Sequence, residues 1–139
     1  MAKNLIIGGF TNYEINQLKP WVLSAKEVAG DNDVVLLVGK TSEETIKWLK
    51  NQGVIVAPMA QSQNVPIHVL RFLSIYEYLR NNWAKYRFVV TTDVKDVYFQ
   101  NDPFKMIEEC CDKHCKLLIA SEELKYKDEP WGEIGRAHV

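Results

Sequence analysis

"DVVLLVG", residues Asp33 to Gly39, is an apolar run without polar alternation. A strand with one wet face alternates apolar and polar residues, because successive side chains point to opposite sides. A run that omits the polar positions needs cover on both faces, the situation of a parallel strand between helices. Upstream, "NLIIGGF" (Asn4 to Phe10) has the same character and closes on paired glycines. Between the two runs, Ile15, Leu18, Trp21, Val22, Ala25 and Val28 recur at helical spacing. Pro20 suits that helix if it opens its main body, and Gly30 ends it.

The alternation continues downstream. "TSEETIKWLKNQG" starts with a capping box, Ser42 or Thr41 ahead of Glu44 and Thr45, and stops at Gly53. "VIVAP" (Val54 to Pro58) reads as a third strand, followed by the polar loop "MAQSQNV". From Pro66 the spacing predicts a helix with Ile67, Leu70, Leu73, Tyr76 and Leu79 as one stripe, widened by Val69, Phe72, Ile75 and Trp83. "YRFVVTT" is a fourth strand; Asn101 or Asp102 caps a helix opened by Pro103; "KLLIAS" (Lys116 to Ser121) is a fifth strand. This order specifies an α/β domain, Rossmann-like, with a mostly parallel sheet and helices on both faces.

Composition narrows the function classes. The 139 residues are 47% hydrophobic and 25% charged, with a formal net charge of −1, which fits a globular domain with a real core. Such a balance disfavours a nucleic-acid arm or a polybasic membrane patch, since both need clustered positive charge. No apolar run has the length of a membrane span, and the start is too short for a signal peptide, so the chain as given reads as cytoplasmic. An anchor upstream of Met1 would instead place the protein in the Golgi. Cys110, Cys111 and Cys115 lack the paired spacing of a zinc site and are expected as reduced thiols.

The last residues, "IGRAHV" (Ile134 to Val139), match one reading frame of a common sequencing adapter, with Glu133 at the junction. They are expected to be a read-through artefact, so that residues 1–133 form an incomplete domain, an amino-terminal fragment.

Ligands of parallel sheets bind beyond the carboxyl ends of the strands, near the switch in strand order. That rule singles out Gly8 to Tyr13, Ala57 to Asn64 and Thr91 to Asp96. In "FVVTTDVKDVYFQNDPF" (Phe88 to Phe104) an apolar strand runs directly into Asp93 and Asp96. Paired carboxylates at a strand end make a hard oxygen site, suited to Mg2+ or Mn2+ with waters and phosphate oxygens completing the shell. A solvated turn is the plainer reading of the same residues. Rival motifs are missing: "IIGGF" lacks the dinucleotide glycine spacing, and neither a P-loop nor a G-x-S-x-G elbow occurs. His68 and His114 stand apart from any such context.

The segment "VVTTDVKDVYFQNDPF" resembles the metal-binding strand of nucleotide-sugar-dependent glycosyltransferases of the GT-A fold. There, a hydrophobic-Asp-x-Asp strand leads into a hydrophobic run and often an Asp-Pro. "IIGGFTNYE", "VPIHVLRFLSIYEYLRNNWAKYRFVVTTD" and "LLIASEELKYKDEPWG" are similar to the flanking segments, so the resemblance spans most of Asn4 to Gly132. One departure stands out: Val94 and Lys95 both intervene between the aspartates, where the family has a single residue. Aligned on Asp102-Pro103, Asp96 matches the second, metal-ligating aspartate, and Asp93 lies one place upstream of the first. Lys95 would compete with a cation unless its side chain points away.

The resemblance implies a site. Thr11, Asn12 and Tyr13 would line the base and ribose pocket, Arg71 would reach the nucleotide or its phosphates, and Asp93 would serve both nucleotide and metal. Glu129, Trp131 and Gly132 would border the acceptor sugar. The implied function is metal-assisted transfer of a sugar from a UDP- or GDP-sugar to an acceptor glycan, protein or small molecule, with Mn2+ or Mg2+ held by Asp96 and Asp93. No nucleophile or base is identifiable, and a fragment of such an enzyme is expected to bind donor without turning it over. The alternatives are a catalytically silent GT-A-like nucleotide-binding module and a flavodoxin-like interaction domain.

Overall fold

The computed structural model describes residues 2–62, 64–112 and 114–119. The elements run β1 (Lys3–Phe10), α1 (Ile15–Ala29), β2 (Asp33–Val38), α2 (Glu43–Asn51), β3 (Ile55–Pro58), α3 (Ile67–Asn82), β4 (Tyr86–Thr91) and α4 (Pro103–Cys110). A short 3-10 turn, Trp83–Lys85, links α3 to β4. The four strands form one sheet in the order β3-β2-β1-β4, and every pairing is parallel. The α/β class and parallel sheet expected from the apolar runs are therefore present. The chain divides into two compact units, residues 1–106 and 107–139.

β1 and β2 are central, and their burial follows their composition: Leu5, Ile6, Ile7 and Val34 to Leu37 are all essentially inaccessible. The alternation of strand side chains sends Leu5, Ile7, Val35 and Leu37 into one core with Ile75 of α3. The opposite face meets α1, whose Leu18, Trp21, Val22 and Ala25 are buried. β4 differs from the sequence expectation of a fully buried strand. It pairs only with β1 among the described residues, and its burial alternates along its length.

Further expectations need correction. α1 begins at Ile15, so Pro20 lies inside it rather than at its opening. As the sixth residue of the helix, Pro20 forfeits the amide bond to the Asn16 carbonyl, while a capping box of Glu14 and Gln17, in which the Glu14 N–H donates to Gln17 Oε1 at 2.9 Å, secures the helix start. In α3 the buried residues are Leu70, Ser74 and Ile75, with Tyr78 and Leu79 packed beside them, whereas Leu73 and Tyr76 of the expected stripe are exposed. Apolar residues occupy both sides of this helix, so spacing alone does not select a face. Ser74 decides it: its hydroxyl donates to Leu70 O at 2.8 Å and accepts from Ala60 N–H at 2.9 Å.

In the second unit, Lys116 to Ile119 form no strand, and Ala120 and Ser121 of the expected fifth strand lie outside the described residues. Cys111 and Cys115, expected as thiols, are brought close together, and Cys110 is free. The cause is a turn built by Asp112, whose Oδ1 accepts from the His114 and Cys115 amides at 2.8 and 3.1 Å and folds the chain back. No described helix is long and apolar enough to cross a membrane.

Candidate functional site

The chain runs β1, β2, β3 in one direction across the sheet, then returns through α3 to place β4 on the other side of β1. The order reverses between β1 and β4, and a crevice opens at the carboxyl end of such a reversal. The loop after β1 carries Thr11, Asn12 and Tyr13; the loop after β4 carries Asp93 and Asp96. Both therefore border the switch point.

Paired glycines make the approach of the loops feasible. A Cβ on Gly8 would lie 2.6 Å from Val94 Cγ2 and 3.3 Å from the Trp21 ring. One on Gly9 would lie 2.9 Å from Arg71 Cγ and 3.1 Å from Met59 Cε, on the other side of the sheet. "GG" thus ends β1 for a packing reason: each glycine admits a side chain that belongs to the rim of the crevice.

Val94 is 2% exposed and acts as the plug of the acidic loop, so its neighbours Asp93 and Lys95 are left at the surface. α1 fastens the same loop. Trp21 Nε1–H donates to Thr92 Oγ1 at 2.8 Å, and the Thr92 hydroxyl donates to Asp93 O at 2.8 Å. Further on, the Phe99 amide donates to Ser24 Oγ at 2.9 Å, with the Phe99 ring edge-on to Trp21 at 6.0 Å. Asp96 adopts a positive φ of 63°, a left-handed conformation that aspartate tolerates and most residues do not. Asp102 Oδ1 accepts from the Phe104 and Lys105 amides, which makes Asp102, rather than Asn101, the cap of α4 ahead of Pro103.

Charge is arranged between the loops at the switch point. Arg71 Nη1 and Asp93 Oδ1 form an ion pair at 2.6 Å, joining α3 to the loop after β4. Lys95 does not turn toward the acids; its Nζ sits 5.9 Å from the centre of the Tyr13 ring, which itself stacks on Phe10. A cation over an aromatic face is attracted by the ring quadrupole. The loops after β1 and β4 are thus tied together by Tyr13 and Lys95, and β4 and α3 by Asp93 and Arg71.

The loop after β1 is tied to β2 as well. The Asn12 amide donates to Lys40 O at 2.7 Å, and the Lys40 amide donates to Thr11 Oγ1 at 2.9 Å. Thr11 is therefore a structural clasp in this arrangement. Asn12, at φ 60°, and Tyr13 line an open cleft of about 780 Å³ that continues over Lys40, Ser42 and Thr45. Ser42 Oγ accepts from the Thr45 amide at 3.2 Å and is the true cap of α2.

Sequence reasoning named Thr11, Asn12, Tyr13, Arg71, Asp93 and Asp96: Asn12 and Tyr13 line the cleft, Thr11 is bonded to the Lys40 amide, Arg71 and Asp93 pair with each other, and Asp96 is exposed in the loop after β4. It missed the contribution of Lys40 and Ser42. Their signal was available: both follow the carboxyl end of β2, the strand next to β1. The expected acceptor residues Glu129, Trp131 and Gly132 lie outside the described residues.

The donor set limits how a cation could be held. Among the described residues no group of three or more His, Cys, Asp or Glu side chains converges as a metal cage. Asp93 is occupied by Arg71, and Asp96 is exposed. No family model, curated protein or solved structure matches the chain.

Proposed function

We propose that the chain is the nucleotide-binding part of a glycosyltransferase that uses a nucleotide-diphosphate sugar, of the GT-A kind. The observation that carries the reading is the Arg71–Asp93 ion pair at the β1–β4 switch point, beside the Lys95–Tyr13 contact between the two loops, one of which also bears Asp96. A planar base has the Tyr13 ring and the open cleft beside it; the diphosphate has the Arg71 guanidinium, a planar donor suited to phosphate oxygens. Asp96, with Asp93 when it leaves Arg71, would hold Mn2+ or Mg2+. The cation would neutralise the diphosphate and ease its departure from the sugar. The residues of this chain bind and orient the donor.

Calorimetry with UDP and with GDP, each with and without Mn2+, tests the reading. Binding of at least one nucleotide is expected to require Mn2+, and Asp96→Asn is expected to weaken it about tenfold or more, the loss typical of a removed metal-ligand shell. Equal affinity with and without metal, or in the variant, would contradict the metal assignment.

A further inference from the structure

We infer that Asp93 is a built-in occupant of the anion-binding position on Arg71, and that a phosphate group of the ligand takes this position by displacing the carboxylate. The inference rests on the reading above and concerns how its diphosphate site is held before ligand arrives.

The two partners of the ion pair are not equivalent. The Arg71 side chain is 22% exposed, while that of Asp93 is 66% exposed. The stem of Arg71 is fixed against Gly9, where even a methyl group would crowd it. Asp93 has no comparable constraint on its side chain. Its carbonyl is held by the Thr92 hydroxyl, so the backbone keeps its place while the carboxylate swings into water. Arginine is thus the fixed receptor and aspartate the movable anion. An ion pair this open to solvent stabilises the protein little. A diphosphate carries more charge and more acceptor oxygens than one carboxylate, and a guanidinium can donate to either through its planar fork of N–H groups. The exchange also frees Asp93 for other partners at the moment the phosphate binds.

Binding of inorganic pyrophosphate, in EDTA and at low ionic strength, measures the exchange without metal. Asp93→Asn is expected to tighten pyrophosphate binding roughly threefold, the scale of an exposed ion pair. Arg71→Gln is expected to lose binding, and adding Asp93→Asn to Arg71→Gln is expected to recover none of it, since the carboxylate acts only through that guanidinium. Asp93→Ser repeats the reading should Asp93→Asn fail to give a cooperative thermal transition. Unchanged or weaker binding in the Asp93 variants overturns the inference. So does equal tightening in the Arg71→Gln background, which would reflect net charge alone. UDP and GDP are measured separately with Mn2+: if neither binds while the Asp93 effect on pyrophosphate persists in EDTA, the nucleotide reading falls and the displaced carboxylate stands.

Discussion

Gly8 is a residue whose role comes from what it lacks. A methyl group there meets Val94, the buried plug of the acidic loop, at 2.6 Å. Gly8→Ala is expected to destabilise the protein by about 1–3 kcal/mol, as overpacking of a core does, read as a fall in thermal midpoint. Trp21→Phe removes the hydrogen bond to Thr92 while keeping an aromatic ring. It is expected to cost about 1 kcal/mol and to raise amide exchange across residues 92–99 more than elsewhere. At the opposite end of the sheet, Tyr86 donates to Asp33 Oδ2 at 2.8 Å. Burial, with help from Tyr78 and Asp33, pushes its phenol well above the ordinary value. A phenol with a raised folded-state pKa adds stability that is complete below the unfolded value of about 10 and is lost as pH climbs past it. Denaturant titrations from pH 8 to 11 should therefore show stability falling above about pH 10. Tyr86→Phe should flatten that fall. At this scale the acidic pair and the arginine were legible in the sequence. The role of Val94 was not, because burial of a single loop residue depends on what faces it across the fold.

Elements were read best where their surroundings are uniform. β1 and β2, covered on both faces, carry their environment in unbroken apolar runs. Among the described residues β4 and α3 are covered on one side only, and their sequences are apolar beyond the covered side, so the face they bury could not be read from spacing. The outward side of α3 leaves Phe72, Leu73 and Tyr76 exposed, while Ile75 enters the core. Ile75→Ala should therefore cost about 3 kcal/mol, and Leu73→Ala less than about 1 kcal/mol, in chemical denaturation. The reverse order would restore the stripe expected from sequence and displace the one observed. Helix starts behaved similarly. Both Thr41 and Ser42 fit a cap by composition, and only the Thr45 amide distance chose Ser42.

The whole molecule is organised by one reversal of strand order. β1 and β2 set the direction, α3 carries the chain back, and β4 delivers its acids beside the loop after β1. The parallel sheet was legible because helical and strand periodicities alternate so regularly. The order of strands was not, since no local pattern records which edge a strand joins. The resemblance to GT-A glycosyltransferases rests on sequence, and the site proposed from it lies at the β1–β4 switch point. Paramagnetic broadening by Mn2+ in the presence of UDP, read amide by amide in an NMR spectrum, tests that place directly. Broadening is expected at Asp93 to Asp96 and at Asn12 and Tyr13, and its loss is expected in Asp96→Asn. Broadening centred on the Cys110–Cys115 segment, or at neither loop, would contradict a donor-metal site at the switch point.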